Sequence, residues 1–299
     1  MTKAMRQERW AMFERRPSLE RPDAIDAGSV AARTYRDVRV VGNRAVMTAR
    51  RQLRSSDVDA VPESALDAVF EQYDEHPTVF VHVGLSDVKS AFKCDPYEFL
   101  RDRLDTHFEN VLVQGFTPSF RSPDGRVYHK DYSVPKYGTF STLFLDDCDY
   151  RTDDATNSIL VRGDYRFDDC DHHDTWSSDG CFGALDRDNV LVLDIGTNWI
   201  RAAQIHYLEV LLDVPYVTTT DYEGVIYYDD STHEPVTQRS HEYERPITWN
   251  RAKIKDDLQQ DGVLEHHELN GLDLFAFEAR ELRHALAPRI EDDPHYLVT

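Results

Sequence analysis

Residues 190–195, VLVLDI, form a short and almost wholly apolar run. Gly196 breaks it, and residues 199–212 then carry apolar positions at helical spacing. This pattern specifies a buried strand, a tight turn and a helix. The helix presents His206 and Glu209 three residues apart, on one face and within reach of each other. A carboxylate so placed can orient and charge-stabilise an imidazole acting as a general base. The same spacing also occurs in ordinary hydrogen-bonded helix pairs.

Two further strands of the same kind precede it. Thr78–Val83 (TVFVHV) runs into GLSDVKSAF, so Gly84 and Ser86 sit at a strand-to-helix turn. Such turns expose backbone N–H groups to an anionic or thioester-bearing ligand, although a plain connection reads the same way. Residues 110–115 form the next strand and deliver FTPSF to the carboxyl end of the sheet. Between them Asp95 opens a helix with Pro96 at its first position. Residues 63–73 show an amphipathic stripe (Leu66, Val69, Phe70, Tyr73) with Ser64 as the starting residue. Residues 137–145 read as a core helix, and 151–163 as a polar turn feeding a short strand. Beyond 212 the pattern becomes β-like, with Tyr222, Tyr227, Tyr228, Tyr243 and Trp249 available either to stack on a ligand or to fill a sheet core.

With 299 residues, 40% of them hydrophobic, the chain can bury one large α/β domain. The formal net charge is −21, yet residues 1–56 carry thirteen Lys/Arg against six acids, a local +7 that leaves −28 for the remainder. The division expected is therefore a basic N-terminal helical arm, 1–56, and an α/β domain, 57–299. Such an arm docks on an acidic surface of its own body or of a partner, giving a possible homo-oligomer or assembly. Nucleic acid is disfavoured because no aromatic interleaving accompanies the arginines. An acidic, Lys-poor body suits a high-salt cytoplasm. No apolar stretch approaches a membrane span and the N-terminus lacks a signal-peptide core, so a cytoplasmic protein with no membrane partner is expected. Four cysteines without a CxxC pair make no disulfide framework. The cluster DDCDHHD, 168–174, offers Cys170, His172 and His173 but no zinc-like spacing, and reads as a solvated acidic loop rather than a metal site.

Taken in order, VFVHVGLSDV, VLVQGFTPSF, KYGTFSTLF, RTDDATNSILVRG and the segment ending in HYLE resemble the aminoglycoside 3-N-acetyltransferase family over about residues 60–298. His82, Gly84 and Leu85 match its first motif, Phe116 and Thr117 the second, and Gly138 the third. Arg151, Thr156 and Ser158 match the fourth, and His206 and Glu209 the last. The resemblance implies a three-layer α/β/α sandwich with a central mixed sheet. It also implies acetyl transfer from acetyl-CoA, as co-substrate, to an amino group of an amino sugar or aminoglycoside-like acceptor. In that reading His206 is the base and Glu209 its partner. Thr117, Thr156, Asn157 and Ser158 serve the oxyanion and acceptor, while His82, Gly84, Leu85 and Ser86 receive the cofactor. The chain departs from the family where His-Pro-Thr-His-Ser becomes Asp154-Ala155-Thr156-Asn157-Ser158, and where Asn-Thr becomes Ala202-Ala203. Those departures set up the alternative: an impaired acetyltransferase scaffold that assembles through residues 1–56.

Overall fold

In the computed structural model, the residues described are 60–299 except Asp124, Asn198, Ala202 and Arg245. The expected basic arm, 1–56, lies outside them. Among the described residues the strands are β1 (Thr78–Val83), β2 (Asn110–Gln114), β3 (Val127–His129), β4 (Tyr150–Arg151), β5 (Ile159–Arg162), β6 (Leu191–Ile195), β7 (Val217–Tyr227), β8 (His233–Tyr243), β9 (Glu265–Leu269) and β10 (Leu272–Glu278). The helices are α1 (Glu63–Phe70), α2 (Leu85–Phe92), α3 (Pro96–His107), α4 (Thr139–Phe144), α5 (Cys181–Arg187), α6 (Gln204–Leu211), α7 (Arg251–Gln260) and α8 (Ala279–Asp292).

Seven strands form the central sheet in the order β4-β5-β2-β1-β6-β10-β9. β2, β1 and β6 are parallel, and the flanking strands pair antiparallel to them. Side chains alternate between faces along each strand, and both faces are buried. Val79, Val81, Val111, Val113, Leu191 and Leu193 pack with α1 to α4 in one cluster. Phe80, Leu112, Val192, Phe275 and Phe277 pack with α5 to α8 in the other. Strands buried on both sides must be apolar at nearly every position, which is why VFV and VLVL lack the polar alternation of a half-exposed sheet. The result is the three-layer sandwich with a mixed sheet.

A second sheet, β3-β7-β8, is built on the long hairpin β7/β8, with β3 parallel to β7. Tyr222 and Tyr227 fill its small cores.

Two local expectations are corrected. The helix expected over 199–212 begins only at Gln204. Asp194 accepts a hydrogen bond from the backbone N–H of Arg201, and Trp199 and Ile200 are buried, so the chain after Gly196 is pinned as a loop before it coils. Ser64 does not start α1: that helix opens at Glu63 behind Pro62, with no side-chain cap. The polar turn expected before a short strand is present ahead of β5 and is itself buried, at Thr152, Asp154, Thr156, Asn157 and Ser158.

Candidate active site

β1 continues through α2 and α3 to β2 on one side, while β6, which follows α5, lies on its other side. The direction of winding thus reverses between β1 and β6, and ligands of open α/β sheets sit outside the carboxyl ends of such a strand pair. The two strand ends approach closely here. Gly84 donates its N–H to the Ile195 carbonyl at 2.8 Å. A Cβ on Gly84 would lie 2.1 Å from the Gly196 carbonyl oxygen, so the sequence requires glycine at this crossing.

His82 and Asp194 are register partners at the same strand ends. By alternation both point to the face covered by α5 to α8. His82 Nδ1 lies 2.8 Å from Asp194 Oδ1, and both side chains are buried. The contact is one of distance rather than of hydrogen-bond geometry, and neither ring nitrogen of His82 has a hydrogen-bond partner among the described residues. Of the other residues expected at a cofactor, Gly84 and Leu85 are half-buried and Ser86 is exposed in the first turn of α2.

Thr117, Thr156, Asn157 and Ser158 are brought together. Thr117 donates its N–H to the Thr156 carbonyl at 2.8 Å and its hydroxyl to the Ala155 carbonyl at 2.7 Å. Ser158 donates its hydroxyl to Gly115 at 2.8 Å, and Asn157 donates its side-chain amide to Thr156 Oγ1 at 3.0 Å. The Thr117 and Ser158 donors hold the segment after β2 to the turn before β5, and the Asn157 bond lies within that turn. Arg151 is a brace beneath them, donating to Ser158 Oγ and to the carbonyls of Gly115, Lys130 and Ser133.

Asp154, fully buried, is the hub of the turn. Its carboxylate accepts from the Thr156 and Asn157 amides, from the Thr156 hydroxyl and from the Thr175 hydroxyl. Burial pushes its pKa up to about 7 against the lowering effect of these donors.

His206 stands at the other end of a row of rings. Phe80 meets His82 at 5.0 Å and Phe182 at 5.9 Å; Trp176 meets Phe182 at 4.3 Å and His206 at 5.4 Å. Thr175 and Trp176 are adjacent, so one loop joins the Asp154 turn to His206. The His206 side chain is 40% exposed and that of Glu209 only 2%. His206 Nδ1 lies 2.9 Å from Glu209 Oε2. An ionised carboxylate only accepts, so Nδ1 carries the hydrogen and Nε2 keeps its lone pair. Tyr243, at the end of β8, donates its hydroxyl to the same Glu209 oxygen at 2.9 Å and lies 3.0 Å from His206 Nδ1. Burial and the Glu209 charge hold the Tyr243 and Tyr216 hydroxyls above their ordinary pKa. Trp249 packs edge-on to the His206 ring at 5.7 Å.

The loop 168–174 is partly docked. His172 accepts from the Asp153 N–H at Nδ1, and its Nε2 lies 2.9 Å from the Phe167 carbonyl. No group of three or more His, Cys, Asp or Glu is arranged to hold a metal ion among the described residues. No described helix is long and apolar enough to cross a membrane.

Sequence reasoning missed Asp194, the hub role of Asp154 and the part played by Tyr243. An Asp inside VLVLDI was the readable signal, since a charge in a buried run needs a partner.

The sandwich fold is shared with solved structures, aminoglycoside acetyltransferases among them. Similar structures include AAC-IIIb binary with CoASH, with TM-score 0.64, 14% identity, and coverage of 78% of this chain and 97% of that one. AAC-VIa bound to Sisomicin matches with TM-score 0.59, 13% identity, and coverage of 78% and 98%. The YokD protein from Bacillus subtilis matches with TM-score 0.62, 11% identity, and coverage of 82% and 98%. Identities this low establish the fold alone. A sequence comparison with curated proteins finds no match. The family model described as Aminoglycoside 3-N-acetyltransferase matches residues 107–290. The chain belongs to the aminoglycoside 3-N-acetyltransferase family.

Proposed function

We propose that this protein transfers the acetyl group of acetyl-CoA to an amino group of an amino-sugar or aminoglycoside-like acceptor, with His206 as the base. The observation that carries the reading is the His206–Glu209 pair, whose Nδ1 faces a buried carboxylate while the ring remains partly exposed. An acceptor ammonium cannot attack a thioester until it has lost a proton. His206 Nε2 takes a proton from the amine; the nitrogen forms a bond to the acetyl carbon, the C–S bond breaks, and the CoA thiolate leaves to be protonated. Glu209 stabilises the imidazolium formed meanwhile. The CoASH and sisomicin held by the two neighbours are the ligand classes to test here.

His82, Gly84, Leu85 and Ser86 lie at the β1 end of the strand crossing, and this reading assigns them to the acetyl-CoA side. Thr117, Thr156, Asn157 and Ser158 are assigned to the wall beside the thioester and acceptor, where they hold its shape. The scaffold alternative finds no support in the described residues, which retain the His–Glu pair.

The test is thiol release from acetyl-CoA with sisomicin as acceptor, by wild type and by His206→Ala. Release that falls at least a hundredfold in the variant supports the reading. Equal rates in both remove His206 as base, and no binding of acetyl-CoA by calorimetry overturns the function.

A further inference from the structure

We infer that Tyr243 is a positioning residue, setting the tautomer and basicity of His206 by clamping Glu209; this rests on the reading of His206 as the base. Glu209 is 2% exposed, and a buried carboxylate stays ionised only while donors satisfy it. Two donors converge on one of its oxygens. His206 Nδ1 comes from the same helix, one turn away, and the Tyr243 hydroxyl comes from the far end of the β7/β8 hairpin. The hydroxyl donates to Glu209, so its own oxygen faces His206 Nδ1 at 3.0 Å as an acceptor. The Nδ1 hydrogen therefore meets two acceptors, and the basic lone pair is confined to Nε2.

The groups that face this pair come from four places. Trp176 and Trp249 pack on the imidazole and carry no charge. Tyr216 lies beside Glu209 and contacts the Tyr243 ring at 6.3 Å. Behind Tyr216 stands His295 at 5.7 Å between rings, with Asp293 close enough to act on the Tyr216 hydroxyl.

Removing the hydroxyl has two opposed effects on His206. Loss of the Tyr243 oxygen as an acceptor lowers the affinity of the ring for its proton. Loss of a donor concentrates the Glu209 charge on the His206 side and raises it. The second wins, because Glu209 meets the imidazolium with a full charge and the Tyr243 oxygen only with a dipole. The hairpin that carries Tyr243 thereby tunes a base carried by the sandwich.

The test is nitrogen-15 NMR titration of His206 in the free protein, for wild type, Tyr243→Phe and Glu209→Gln. Wild type is expected as the Nδ1–H tautomer. Tyr243→Phe is expected to raise the His206 pKa by about half to one unit, and Glu209→Gln to lower it, the two variants moving in opposite directions. The acid limb of kcat/KM for thiol release then moves up with Tyr243→Phe, kcat falls about tenfold, and acceptor KM stays within about twofold. An unmoved His206 pKa in Tyr243→Phe overturns the proposal. So does a raised acceptor KM with an unmoved pH limb, which would make Tyr243 a contact for the acceptor. Should Tyr243→Phe fail to fold, an unchanged tautomer and pKa in Glu209→Gln overturns it equally. A shifted His206 pKa with full activity in His206→Ala upholds the clamp and removes only the catalytic reading.

Discussion

Asp194 Oδ1 lies 2.8 Å from His82 Nδ1 at the carboxyl ends of two neighbouring parallel strands, and both side chains are withdrawn from solvent. The other Asp194 oxygen accepts the Arg201 N–H and so anchors the loop that leads to α6. Asp194→Ala removes the partner of a buried histidine and an amide acceptor together. The expected loss is about 3–5 kcal/mol of stability by urea unfolding. A loss below about 1 kcal/mol would show that neither contact matters to the fold.

Asp154 makes stability depend on pH. Its pKa is raised from 3.8 to about 7 in the folded protein, so between these values the folded form keeps a proton that the unfolded chain has released. The stabilisation is fully present below about pH 4 and is lost as pH rises through about 7, an effect of order 4 kcal/mol at most. Urea midpoints of wild type should therefore fall between pH 4 and pH 8 relative to those of Asp154→Asn, which keeps an acceptor for the Thr156 and Asn157 amides. Parallel pH profiles for the two proteins would refute this assignment.

Gly84 and Gly262 separate two reasons for glycine. At Gly84 the obstacle is backbone, the Gly196 carbonyl 2.1 Å from a would-be Cβ, so Gly84→Ala must prise two strand ends apart. At Gly262 nothing lies within 4 Å, but φ is +73°. Gly84→Ala is expected to cost about 3 kcal/mol, and Gly262→Ala about 1 kcal/mol from left-handed strain alone. Equal thermal shifts for the two would dissolve the distinction.

The parts of the fold visible in the sequence are those set by local pattern. TVFVHV and VLVLDI announce strands buried on both faces, and the i,i+3 spacing of His206 and Glu209 announces their contact. The parts that were not visible depend on residues distant along the chain. Nothing near Tyr243 says that it reaches Glu209, and nothing near Asp194 says that it will delay α6 by holding the Arg201 N–H. The residues of the 152–158 turn are polar, as the sequence shows, but their burial is not legible there. They are buried because their side chains are spent on backbone groups of neighbouring segments, a use that polarity alone does not reveal.

Thr117 offers the sharpest test of what the altered turn now does. Its hydroxyl donates to the Ala155 carbonyl at 2.7 Å and its N–H to the Thr156 carbonyl at 2.8 Å, so two bonds fasten the end of β2 to the Asp154 turn. A hydroxyl committed in this way stabilises the fold. One released in the substrate complex would instead stabilise the developing oxyanion, and removal of such a donor costs about a hundredfold or more in kcat. Thr117→Val keeps the shape and deletes only the hydroxyl, leaving the Ala155 carbonyl short of a donor. The expected result is about 1–3 kcal/mol of lost stability with kcat reduced less than about tenfold, and recovery of both in Thr117→Ser. A hundredfold fall in kcat at unchanged melting temperature would place the hydroxyl at the thioester, because a purely structural bond cannot vanish without a cost to unfolding.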